Sequence, residues 1–254
     1  MRLRGLDLQV VDGAGLGEED IDAMWALRAQ FMGLKPDVRE EDDRALFAAW
    51  LRAPGGTVAL GRDPAGAIQV FIEMKSRVVE HRGRPYDILF GNFVFASAAY
   101  RNHPAYVVGN CWNLAIHVLR HRVRRILWVV PLYPPSFVVG ARTFPTLWLA
   151  GEPNVPEDVA SLVDAIVPEL YGDGWSPERR VLRMRTIPRP YEPSSPTTVR
   201  LLARYEARNP DWRDGYSVLC VVPITLVGLL GVAKLVARRV VGFPRPSEKM
   251  RSDG

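Results

Sequence analysis

Residues 86–121 constrain what this chain can fold into more than any other stretch. They open as YDILFGNFVFASAAY, where β-branched and aromatic residues alternate with small ones, break at RNHPAY, and resume as VVGNCWNLAIHVLRH with helical spacing. The pattern predicts a strand, a short loop and a helix. A helix that starts just after a strand leaves several backbone N–H groups without intrahelical partners, with the positive end of the helix dipole behind them. The loop at residues 101–108 is therefore a candidate seat for an anionic group such as a phosphate.

The chain has 254 residues, 48% of them hydrophobic, enough for a substantial core in one large or two small domains. Its net charge of +5 would ordinarily suggest an acidic partner, but the 33 basic residues include only four Lys (Lys35, Lys75, Lys234 and Lys249). An Arg bias of this kind, with abundant Ala, Gly, Pro and Val, matches GC-rich coding, and no nucleic-acid partner is expected. Cys111 and Cys220 stand alone, with no CxxC and no His spacing suited to zinc. No disulfide framework, no metal and a reducing cytoplasm are the expectations. The opening MRLRGLDLQVVDG alternates and reads as a strand, not as a secretory signal.

Two helices follow, each with an acidic start that suits the helix dipole: Glu18, Glu19 and Asp20 before a stripe of Ile21, Met24, Trp25, Leu27 and Phe31, then residues 40–43 before Leu46, Phe47, Trp50 and Leu51. From residue 56 the pattern turns to strands, TVALGRD and AIQVFIEMKSRVVEH, which with the long strand from Tyr86 make a three-stranded antiparallel meander. ILWVVPL at residues 126–132 reads as a strand buried on both faces. Residues 134–196, interrupted by Pro, read as an insertion packed on the main domain, with a helix near residues 157–170 and a strand at VLRMR. Residues 197–224 supply a helix, TTVRLLARYEARNP, and a strand, YSVLCVVPI; Thr225 then caps a last apolar helix over residues 225–243, and residues 244–254 read as a disordered tail. The expected class is α/β (α+β): a mixed, mostly antiparallel central sheet flanked by helices.

This order of elements resembles the GNAT superfamily of acyl-CoA N-acyltransferases over residues 6–133 and 197–224, and in particular an uncharacterised bacterial GNAT-like group with the same Pro-rich insertion. FASAAYRNHPAYVVGNCWNLAIHVL is similar to that family's fourth strand, pyrophosphate loop and following helix, and LLARYEARNP to its late Tyr-Glu segment. The resemblance implies transfer of an acyl group from acetyl-CoA or a longer acyl-CoA to an amine. It also implies a gap between the fourth and fifth strands, opening just past Tyr100, that admits the pantetheine arm. Carried over position by position, it puts Phe95 and Ala96 at the thioester and Arg101, Asn102, Ala105, Tyr106, Val107, Val108, Gly109 and Asn110 at the phosphates, with Tyr205 as the acid that protonates the leaving thiolate. The family's loop reads Arg or Gln, two residues, Gly, one residue, Gly or Ala. Here Arg101 fits, while Pro104 and Tyr106 stand at the small positions, leaving Gly109 as the residue that would let a phosphate come close.

For the base that takes the amine's proton, Glu73 and Asp87 are the available carboxylates. Tyr205 equally fits a purely structural place at the core edge of its helix. His103, in the loop beside free amides, is a further catalytic candidate. Asn110, Asn113 and His117 share one helix face, continued by Arg120 and Arg124, which reads as a solvated face more simply than as a ligand groove. Cys111, flanked by Trp112 and Leu114, reads as buried and inert. The RHRVRR cluster reads as a charged surface.

Residues 216–233 carry no charge and just reach the length at which a membrane span is considered, since about 20 apolar residues are needed to cross. Pro223 and Thr225 divide the run into a strand and a helix, and the outer side of that helix is expected to meet the insertion, a second copy of the chain or a lipid surface. The main alternative to an acyltransferase is a GNAT-shaped binding or assembly protein without a cofactor site, for which Pro104 and Tyr106 argue.

Overall fold

A computed structural model describes residues 1–91, 93–100, 103–121, 125–190 and 195–242. The first two strands, β1 (Arg2–Leu3) and β2 (Leu6–Asp12), lead to helix α1 (Glu18–Ala29), the short strand β3 (Met32–Leu34) and helix α2 (Glu40–Arg52). The meander is β4 (Gly56–Arg62), β5 (Ile68–His81), β6 (Arg84–Phe90) and β7 (Val94–Ala96), followed by α3 (Pro104–His121) and β8 (Ile126–Leu132). Next come α4 (Pro134–Thr143), β9 (Trp148–Leu149), α5 (Glu157–Tyr171), β10 (Trp175–Ser176), β11 (Val181–Arg183) and β12 (Thr186–Pro188). The chain closes with α6 (Pro196–Arg208), β13 (Tyr216–Pro223) and α7 (Leu226–Gly242).

The main sheet runs β1-β2-β4-β5-β6-β8-β13-β11-β10 and is antiparallel except where β8 joins β6 in parallel. That single parallel contact follows from the crossover through α3, since a strand that returns through a helix on one face comes back pointing the same way. The fold is GNAT-like: strand, two helices, an antiparallel meander, a helix, a parallel strand, and a late helix and strand that complete the sheet. Residues 134–196, expected to pack on the main domain, also contribute strands to its sheet: β9 and β11 both pair with β13, and β12 pairs with β3 in a separate ribbon.

Alternation along the strands assigns the two faces. Phe71, Val58 and Leu60 meet α1 and α2, and Tyr86, Ile88, Phe90, Leu127 and Val129 meet α5. On the opposite face Val70 and Ile72 meet the start of α3, Met74 and Leu89 meet Leu114 of α3 with Leu229 of α7, and Val130, Leu132, Val218 and Cys220 meet α4 and α6. Helix ends follow the sequence: Ser195 Oγ accepts from the Thr198 N–H at 3.3 Å, and Thr225 Oγ1 from the Gly228 N–H at 3.1 Å.

Candidate functional site

The strand expected to run unbroken from Tyr86 is divided. Phe90 stands opposite Lys75 and Val94 opposite Ile72, so the outer strand carries one residue more than β5 between these points, a β-bulge. Gly91 is required there: a Cβ on it would lie 2.7 Å from the backbone oxygen of Glu73. The bulge marks where the strands part. β6 pairs with β8 only from Asp87 opposite Ile126 to Leu89 opposite Trp128, while β8 continues alongside β13 to Leu132 and β7 pairs with β5. Among the described residues the ladder therefore parts between β7 and β8, a slot in the hydrogen bonding that begins already past Leu89, earlier than the sequence suggested.

On the α2 and α5 side, the apex of the slot is bordered by Glu73, which is 2% exposed, and by Tyr171 at the end of α5, whose hydroxyl lies 3.5 Å from the Val129 carbonyl oxygen. Burial, with the Glu73 carboxylate close by, pushes the Tyr171 phenol well above its ordinary range, so it is a neutral hydroxyl. Lys75 shares the face with Glu73. Its Nζ donates to the Trp50 carbonyl at 2.5 Å and sits 3.9 Å from the Trp50 ring centroid, and burial lowers its pKa against the opposing pull of Glu73. Nearby, Arg28 pairs with Asp43 at 2.7 Å, both buried, and Arg185 reaches the other Asp43 oxygen at 2.9 Å. The acidic start of α2 thus does more than favour the dipole, because Asp43 holds α1 and residue 185 together. On the α3 side the slot is bordered by Val94 and Tyr106, which pack against the same apolar cluster, and by Trp128, edge-to-face with Phe144 at 5.7 Å.

The other sequence candidates are placed as follows. Arg101 and Asn102 lie outside the described residues. His103 is buried and caps α3: its Nδ1 accepts the Ala105 N–H at 3.1 Å and its Nε2 lies 3.1 Å from the Arg4 carbonyl. Burial lowers its pKa, in keeping with a neutral ring that accepts at Nδ1. Pro104 has no N–H, and the Tyr106 N–H donates to the His103 carbonyl at 3.2 Å. The Ala105 and Tyr106 amides at the start of α3 are thus engaged within the chain. Gly109 faces the sheet, where a Cβ would lie 2.9 Å from Ile72 Cδ1, so its smallness serves helix–sheet contact. Phe95 lies among Phe71 and Phe31 on one face, and Ala96, Ala105 and Val107 are buried; Val108 and Asn110 are half-buried.

Tyr205 is fully buried on the α6 side, and its hydroxyl donates to the Leu132 carbonyl at 2.7 Å. The helix face read as solvated is in fact the inner one: Asn113 and His117 are fully buried. His117 Nε2 lies 2.8 Å from Thr57 Oγ1 and Nδ1 2.6 Å from Ser76 Oγ, while the Thr57 hydroxyl donates to Asn113 Oδ1. Asn113 Nδ2 donates to the Ile72 carbonyl at 3.0 Å. This closed chain explains how polar groups come to occupy the inside of the helix. Asp87 is likewise fully buried on this face of the sheet. Sequence reasoning missed Tyr171 and Lys75; the signal for Lys75 was a lone cation between apolar residues of an alternating strand.

No protein-family model matches the sequence, and neither does any curated protein. Among solved structures the chain is similar to a conserved protein of unknown function from Enterococcus faecalis V583 described as a probable N-acyltransferase, at 13% identity, covering 54% of this chain and 33% of that one, with a TM-score of 0.38. It is also similar to ribosomal-protein-alanine N-acetyltransferase from Brucella melitensis biovar Abortus 2308 (12% identity, 52% of this chain and 85% of that one, TM-score 0.38). A third is an aminoglycoside N-acetyltransferase in complex with CoA (14% identity, 56% and 87%, TM-score 0.39). The chain spans a third of the length of the first of these. Likenesses this distant carry no weight for the site, which rests on the strand order and geometry above.

Proposed function

We propose that this chain moves an acyl group from a CoA-type thioester to an amine. The observation that supports the reading is the bulge beside Gly91 together with the parting of β7 from β8, the place where an extended pantetheine arm would lie edge-on between two strands. When bound, the donor supplies the activated thioester carbonyl; the chain's own residues bind, orient and move protons. Glu73 is the carboxylate assigned to the amine's proton, with Lys75 on the same face. The phenol assigned to the departing thiolate is Tyr171, which borders the slot, in place of Tyr205. With the Ala105 and Tyr106 amides engaged at His103, weaker dependence on the nucleotide half of the donor is expected. Equilibrium binding of acetyl-CoA, longer acyl-CoAs and the corresponding acyl-pantetheines tests this, and no binding by any of them removes the enzyme reading.

A second reading, a GNAT-shaped binding module without a cofactor, is favoured by the His103 cap and the engaged Tyr205 hydroxyl. It predicts no thioester binding in the same titrations.

A further inference from the structure

The polar face of α3 is turned inward, and its outer face is correspondingly apolar. Trp112 is 37% exposed and Leu119, two turns on, 75%, with Ala115 exposed between them. On α7, Val227 and Leu230 are 68% and 62% exposed, and Ala233 and Ala237 continue that side. The two helices lie side by side on one face of the sheet, joined through Leu114, Val118 and Leu229, so their outer faces point the same way.

The charge distribution identifies what covers them. Residues 88–151 and 215–247 contain no Asp or Glu, although the chain has 28 acidic residues. These two segments supply α3, α4 and α7, and they bring the exposed cations Arg120 and Lys234 to the C-terminal halves of α3 and α7. An apolar stripe bounded by cations and free of carboxylates is the composition of a surface that lies in the plane of an anionic bilayer, its rings and aliphatic groups among the acyl chains and its cations at the head groups. A second copy docked through the same face by a two-fold axis would set like charges against each other. Among the described residues, no helix is long and apolar enough to cross a membrane.

We propose that the outer faces of α3 and α7 seat this protein on an anionic lipid surface. The inference stands apart from acyl transfer, since vesicle binding requires no thioester. The test is co-sedimentation of the full chain with phosphatidylcholine vesicles with and without about one-third phosphatidylglycerol. Binding is expected to rise at least about tenfold with the anionic lipid and to weaken with salt. The Leu119→Glu/Leu230→Glu double variant is expected to lose that binding by about tenfold or more. Brominated acyl chains are expected to quench the wild type more than Trp112→Phe, a readout that decides the matter on intact protein if the double variant misfolds. Equal binding to both vesicles, no binding to either, retained binding by a folded double variant, or quenching unchanged in Trp112→Phe would each overturn the proposal. So would a concentration-dependent dimer that shields Trp112 in the absence of lipid.

Discussion

The hydroxyl of Tyr205 and the carbonyl of Leu132 meet at 2.7 Å in the seam between β8 and β13, and Ser217 Oγ donates to the same carbonyl at 3.0 Å. Because the carbonyl keeps one donor when the phenol is removed, Tyr205→Phe is expected to lower stability by only about 1 kcal/mol, read from urea or thermal unfolding. Acyl transfer per folded molecule should be unchanged. Full stability with abolished turnover would return Tyr205 to the chemistry.

Gly91→Ala is expected to be costly for its size. The added methyl would meet the Glu73 backbone oxygen at 2.7 Å, and backbone cannot swing aside as a flexible side chain can. A loss of about 1–3 kcal/mol is expected, with weaker thioester binding because the bulge sets the mouth of the slot. Unfolding curves and a binding titration on the same preparation check both parts.

The hydrogen-bonded chain beneath α3 should behave as a unit. Thr57→Val and His117→Leu are each expected to cost about 1–3 kcal/mol, since each strands a buried polar partner. The double variant should cost less than the sum, with a coupling of about 0.5–3 kcal/mol in a double-mutant cycle. Additive effects would mean that the bonds act separately.

Stability should fall in mild acid through His103. Its folded pKa lies below the ordinary value, so the unfolded chain takes up the proton more readily. The contribution is complete above the unfolded His value of about 6.5 and is lost as pH falls through the lowered folded value. Thermal melts across this window should slope less in His103→Gln than in the wild type. Identical slopes would exclude the cap as the source.

Neither cysteine should react readily in the native state. Burial pushes the Cys111 thiol up to about 11 and the Cys220 thiol higher still. At mild alkaline pH, alkylation of Cys111 is expected to be about a hundredfold slower than after unfolding. Fast labelling of Cys111 in native protein would contradict its placement.

Much of the architecture was legible because it rests on local signals. The acidic starts of α1 and α2, the Thr225 cap and the alternation along β4 and β5 are all written within a few residues of where they act. What was not legible rests on partners distant in the chain. Asn113 and His117 read as a wet helix face until Thr57 and Ser76 are brought opposite them. Asp43 read as a dipole charge until Arg28 and Arg185 converge on it. The break at Gly91 carried one sign, a glycine inside an alternating strand, and Tyr171 carried none, because only the docking of α5 brings it to the slot.

Strand β13 comes late in the chain, yet it lies between β8 and β11 and also receives β9. During synthesis, the strands on either side of it leave the ribosome with open hydrogen-bonding edges and wait for residues 216–223 to emerge. A nascent chain halted before that point therefore presents unzipped sheet margins to other chains. Chaperone demand and stop-codon truncation should track this one late strand more closely than they track the total length of the protein.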